Sequence, residues 1–340
     1  MTEKEIRMVQ KAEWLDNKMA ALHTPSYIID YLTNNYTSET AKNNVFNLLK
    51  SFMEWLMDQK LVVTNAWYNI TLEDLEKIES VQFTRYFEQM RRSALKNSTI
   101  NNRIKVIRSF FNYLFKNNKI STNYISAMSK KKFAVNNRKV KAVKLPSVEA
   151  VNNLLQSIVT NAKNEYVALR NETIVMLFIN TGIRCSELVN LNEDDVVLDV
   201  QRPFIRVLGK GKYTEEEYDT VYLNNIVATR LKEWLELQQY YKTMTVDEDA
   251  KRALFLEQSK KARIKEVSVA YFLRKYSDGK ITPHMLRHFY GSQLYQKTHD
   301  IAFVQRQMRH SDINITMSYY VTSDAEVEDK AGVMDINMLE

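Results

Sequence analysis

Across residues 38–60 the chain places Val45, Leu48, Leu49, Phe52, Trp55 and Leu56 three or four positions apart, a stripe that a helix turns toward one core. Ser38 stands where an N-cap is expected. Residues 98–117 repeat the pattern through Ile100, Ile104, Ile107, Phe111 and Leu114, with Arg103, Lys105 and Arg108 mostly off the stripe. A solvated face is the bland account of those three cations, and DNA contact is the functional one. Shorter helical patterns over 25–35 and 72–92 complete an all-helical unit over 23–128, preceded by an extension over 1–22. With 6 glycines and 4 prolines in 340 residues, little interrupts such helices, so short connections are expected.

A second unit, 147–320, begins just after Pro146. Residues 147–160 and 169–180 predict helices. Residues 195–200, 203–208 and 218–223 predict short strands, with the turn-rich GKGKYTEEE between the last two. Residues 224–243, 266–276, 283–297, 300–308 and 313–320 predict further helices, and 321–340 forms a tail. The expected fold class is therefore mainly α, with one small antiparallel sheet. Residues 129–146 hold seven lysines or arginines, Lys130, Lys131, Lys132, Arg138 and Lys139 among them, and no acid. They predict a basic linker, which suits a chain that wraps a duplex because each neutralised phosphate releases counterions. A solvated tether is the alternative.

The formal charge of +7 fits a polyanionic partner without requiring one. The single cysteine, Cys185, excludes an internal disulfide or a cysteine-based zinc site. No stretch has the apolar length of a membrane span, and residues 1–10 lack the apolar region of a signal peptide, so a cytoplasmic protein is expected.

Breaking a phosphodiester without a metal requires a nucleophile, cations on the non-bridging oxygens and an acid for the leaving oxygen. Candidates for each occur in the second unit. Arg184 follows the turn Thr181-Gly182, at the start of a helical pattern. In TPHMLRHFYGS, Thr282 caps, Pro283 takes the first helical position, and His284, Arg287 and His288 share one face. A zinc site there is disfavoured, because the glutamate of H-E-x-x-H is absent. His310 precedes another turn, and Tyr319 and Tyr320 lie on the last helical pattern. Cys185 reads as a small buried apolar residue.

The order Arg, glycine-flanked Lys, His-x-x-Arg, His and, nine residues later, Tyr resembles the tyrosine recombinase (phage integrase) family. TGIRCSELVNL is similar to its first arginine box, HMLRHFYGSQL to its second, and RHSDINITMSYY to its closing segment. Many members have Leu-Gly-His there, where this chain has Met-Arg-His. The resemblance implies a helical core-binding domain followed by a catalytic domain. It also implies that Arg184 and Arg287 clamp the scissile phosphate while His284 and His310 donate hydrogen bonds to it. Tyr319 would then attack to give a 3′-phosphotyrosine, with Tyr320 its rival. Lys210 in LGKGK becomes the general acid, with Lys212 the alternate, and Glu187 a supporting contact. No cofactor or metal is implied.

The expected partner is double-stranded DNA, bound by four protomers on two sites through a Holliday junction, with room for an accessory protein and with the tail exchanged between subunits. Residues 1–22 are too short for a lambda-type arm-binding domain, which favours a two-domain, Xer-like enzyme acting in integration, excision or resolution on the nucleoid. The rival classes are a type IB topoisomerase and a catalytically silent DNA-binding protein; the second would lack one of the six residues.

Overall fold

A computed structural model describes residues 3–128, 145–209, 218–242, 247–257, 259 and 262–309. The chain divides into two compact units at Lys139 and Val140.

The first unit is helical: α1 (Glu3–Ala21), α2 (Ser26–Asn35), α3 (Glu39–Asp58), α4 (Leu72–Glu76), α5 (Ser80–Arg92), α6 (Asn97–Lys116) and α7 (Tyr124–Ala127). The stripe read from residues 38–60 faces inward, with Phe52 and Leu56 fully buried. Phe52 stacks on Phe83 at 6.1 Å, and Phe111 meets Phe83 edge-on at 4.9 Å, so α3, α5 and α6 interlock through aromatic rings. Ser38 takes the N-cap position with extended backbone, but its hydroxyl makes no capping bond. Residues 72–92, expected as one helix, divide into α4 and α5. Thr71 and Asp74 form a reciprocal capping box at the start of α4, Gln82 accepts the Glu79 amide at 3.0 Å to start α5, and buried Ile78 anchors the break. Residues 1–22, expected as an extension, contain α1, whose Leu15 and Met19 join this unit's core.

The second unit runs α8 (Val148–Asn161), α9 (Glu165–Thr181), α10 (Cys185–Val189), β1 (Val196–Val197), β2 (Phe204–Leu208), β3 (Tyr218–Tyr222), α11 (Asn225–Lys242), α12 (Glu248–Arg252), α13 (Glu266–Tyr276), α14 (Pro283–Thr298) and α15 (Ile301–Met308). The three strands pair antiparallel in the order β1-β2-β3, with Phe204 opposite Tyr222 and Leu208 opposite Tyr218. Alternation turns Ile205 and Val207 into the core and Arg206 outward. The core centres on α9, with Ile174, Val175, Leu177 and Phe178 fully buried. Helix α9 packs against α8, α11 and α14. Among the described residues, no helix is long and apolar enough to cross a membrane.

The basic segment with Lys130, Lys131, Lys132, Arg138 and Lys139 lies outside the described residues. So do Lys210 and Lys212, His310, Tyr319 and Tyr320, the helix expected over 313–320 and the tail.

Candidate active site

Helix α9 ends at Thr181, whose hydroxyl bonds back to the Leu177 carbonyl at 2.5 Å and accepts the Ile183 amide at 3.2 Å. Gly182 then turns the chain at φ 60°, a left-handed conformation that side chains resist. A Cβ at Gly182 would also lie 2.4 Å from the Tyr290 ring, so both backbone and packing require glycine. The turn delivers Arg184 to the N-cap of α10. There Glu187, at the third helical position, reaches back to the Arg184 amide at 2.9 Å and to its Nη1 at 2.5 Å.

Helix α14 begins as the sequence predicts. The Thr282 hydroxyl accepts the Met285 amide at 3.3 Å, and Pro283 occupies the first turn. His284 lies exposed at this end, while Arg287 is buried to 3 % exposure. The two Nη atoms of Arg287 donate to the carbonyls of Gly182 and Met308. Arg184 Nη2 donates to the next carbonyl, that of Arg309, at 2.7 Å. Both arginines thus hold the end of α15 on the residues immediately before His310.

Arg184, Arg287 and His284 line one pocket of about 600 Å³, with Cys185 and Thr282 in its wall. Burial pushes the Cys185 thiol up to about 12, with Glu266 adding to the shift, so it remains a protonated wall residue rather than a nucleophile. Although His284 is exposed as a residue, desolvation of its ring against the helix and the neighbouring Arg287 charge hold the imidazole below its ordinary 6.5, which keeps it neutral near pH 7. Its Nε2 lies 2.6 Å from Nε2 of buried His288, one helical turn on. Burial alone would raise the Glu187 carboxyl, but Arg309 and Arg184 outweigh it and hold Glu187 below the ordinary 4.5. Among the described residues, no group of three or more His, Cys, Asp or Glu side chains is placed to hold a metal.

The structure therefore brings Arg184, His284 and Arg287 together. Arg309, not marked as a site residue by the sequence, donates to Glu187 at 2.8 Å from 122 residues away. Its only signal was Met-Arg-His in place of Leu-Gly-His.

In the first unit, Lys105 is exposed and Arg108 half-buried on a groove of about 850 Å³ that also contains Lys116 and Asn112. Arg108 Nη1 donates to the carbonyls of Ile125 and Met128, at 3.3 and 3.1 Å, so part of its guanidinium holds the end of the unit together. Arg103 lies apart, on a separate groove beside Trp55 and Tyr86.

A helical unit followed by a unit in which two guanidiniums and an imidazole line one pocket is an architecture suited to phosphodiester chemistry. Residues 151–326 match the model of the phage integrase family. The chain belongs to that family, the tyrosine recombinases, enzymes that transfer DNA strands in site-specific recombination. A tyrosine recombinase of Agathobacter rectalis is 30% identical over 300 residues, covering 82% of this chain and 92% of that relative. The XerC recombinase of Thermodesulfovibrio yellowstonii is 26% identical over 261 residues, covering 74% and 81%. Among solved structures, XerH recombinase bound to a palindromic difH substrate, a post-cleavage complex, shares the fold at a TM-score of 0.67 and 24% identity, covering 87% of this chain and 80% of that one. The Tn1549 transposon integrase in complex with transposon right-end DNA does so at 0.63 and 14%, covering 91% and 98%.

Proposed function

We propose that this chain cleaves double-stranded DNA by attack of Tyr319 on a phosphodiester held by Arg184 and Arg287. The observation that carries the proposal is the shared pocket of Arg184, Arg287 and His284, beside a chain end that continues directly into His310. Guanidiniums bind two phosphate oxygens in a fixed geometry and gain strength as negative charge grows on them in the transition state. A phenol has an unperturbed pKa of about 10, so a neutral imidazole near this phosphate is a suitable acceptor for its proton. In the proposed step the Tyr319 oxygen bonds to phosphorus and the bond to the 5′-oxygen breaks. The phenol proton passes to His284, and Lys210 protonates the leaving oxygen. His310 donates a hydrogen bond to the phosphate.

The phosphotyrosine ester conserves the bond energy, so a 5′-hydroxyl from a second strand restores the backbone without a nucleotide. Repeating the exchange on the second pair of strands, by four protomers on two sites through a Holliday junction, yields integration, excision or resolution. The basic residues of 129–146, together with Arg103, Lys105 and Arg108, contact the DNA backbone. The work is done in the cytoplasm, on the nucleoid.

Incubation with supercoiled plasmid carrying the DNA that flanks the gene tests the proposal. The wild-type chain is expected to form a denaturation-resistant protein–DNA adduct, and Tyr319→Phe to abolish it while leaving DNA binding intact. An adduct that survives in Tyr319→Phe and disappears in Tyr320→Phe would move the nucleophile by one residue. Relaxation without strand exchange on a two-site plasmid would place the enzyme with topoisomerases.

A further inference from the structure

Arg309 occupies a position with no obvious need for a side chain. It is the C-cap of α15, at φ 53°, a left-handed conformation in which glycine is the least strained residue and arginine carries a cost of about 1 kcal/mol. Yet the side chain is ordered inward at 11% exposure. Its Nη2 meets Glu187 Oε2 at 2.8 Å and its Nη1 the Gln307 carbonyl at 3.2 Å. Glu187, whose side chain is 1% exposed, also accepts from Arg184. Among the described residues, Arg309 Nε is buried without a partner, a further cost the chain carries at this point.

The charges explain what the cost secures. Arg184, Arg287 and Glu187 alone sum to +1, since Glu187 cancels the guanidinium it touches. With Arg309 on the other oxygen of Glu187, the same cluster sums to +2. A buried carboxylate shared between two guanidiniums takes less from either, so Arg184 keeps more of its charge for an anion in the pocket. The pair also ties α10 to the backbone turn that precedes His310.

We propose that Arg309 is a positioning residue for strand cleavage, acting through Glu187 to leave the Arg184 charge available to the scissile phosphate. The inference rests on the phosphate-clamping role of Arg184 proposed above.

Adduct formation under single-turnover conditions, at saturating protein on the same plasmid, tests it with Arg309→Gly, Arg309→Lys and the double variant Arg309→Gly/Glu187→Gln. Arg309→Gly is expected to cut about 10- to 100-fold more slowly, with DNA affinity within about twofold and a thermal midpoint within about 5 °C of wild type. Arg309→Lys keeps the charge and recovers part of the rate. The double variant recovers most of it, because neutralising Glu187 removes the charge that Arg309 offsets; a purely structural Arg309 predicts no such rescue. Wild-type rates in Arg309→Gly, a double variant as slow as the single one, or a rate loss matched by loss of affinity or stability would each overturn the inference. Absence of any wild-type adduct would instead overturn the role of Arg184 on which it rests. The readout is the adduct itself, so a nucleophile other than Tyr319 leaves the comparison intact.

Discussion

The two units differ in how far they use buried charge to hold their helices together. Among the described residues, the first unit buries no charged residue, and its buried Thr24 bonds to the Met19 carbonyl at 2.8 Å. The second buries Arg170, Asn171, Thr173, Thr181, Glu187, Asp195, Gln238, Arg263, Arg287 and His288. A buried charge is a poor way to gain stability, because desolvation consumes much of the attraction, whereas aromatic burial has no such penalty. The second unit keeps its charges where they fix backbone that no regular ladder holds. Arg263 joins Asp249 to the Leu191 carbonyl and Asn192 Oδ1, and Arg170 reaches the Leu256 carbonyl. Arg287 and Glu187 do the same beside the pocket lined by Arg184, His284 and Arg287, where the phosphate is proposed to bind. The first unit relies on apolar and aromatic packing, and the second adds to such packing buried polar groups that fix backbone geometry.

The comparison breaks most visibly at Arg287. Arg287→Lys keeps one charge but cannot hold the Gly182 and Met308 carbonyls together. Its rate of adduct formation is expected to fall about 100- to 1000-fold, measured in single turnover. A near-wild-type rate would mean that charge alone suffices and that the buried geometry is incidental. Phe52→Ala probes the other side. Loss of a fully buried ring shared by three helices should destabilise the first unit by about 3–5 kcal/mol in denaturant titration. Hydrogen exchange should place the loss in α3, α5 and α6 and leave α9 protected; equal deprotection of α9 would show that the units do not differ as described.

The smallest effect is pH-dependent. Glu187 is held below its ordinary 4.5, so its contribution to the second unit is complete above that value and is lost as pH falls through the lower folded value. Glu187→Gln is expected to flatten the acid limb of that unit's stability curve, followed by circular dichroism between pH 5 and 2. An unchanged slope would remove Glu187 from the account.

Much of this was legible in the sequence where periodicity or local capping decides the structure. The stripes of α3 and α6 set their ends to within one or two residues, and Thr282-Pro283 marked the start of α14. The break between α4 and α5 was hidden because Ile78 continues the apolar pattern while its backbone leaves the helix. Helix α1 was missed because charged residues obscure the short stripe through Leu15 and Met19. In the site, Arg184, His284 and Arg287 were readable from motif order. The Glu187–Arg309 pair was not, since it depends on tertiary contact between α10 and the end of α15, and no local pattern reports a contact across 122 residues.

Which atom joins the DNA decides the proposed chemistry most directly. Trypsin cleavage after Arg309 and Lys330 releases residues 310–330 as one peptide containing both Tyr319 and Tyr320. Nuclease trimming of the purified adduct, followed by tandem mass spectrometry of this peptide, locates the nucleotide directly. A 3′-nucleotide on the Tyr319 oxygen is expected; a modification on any other residue, or attachment through a 5′-phosphate, would refute Tyr319 as the nucleophile.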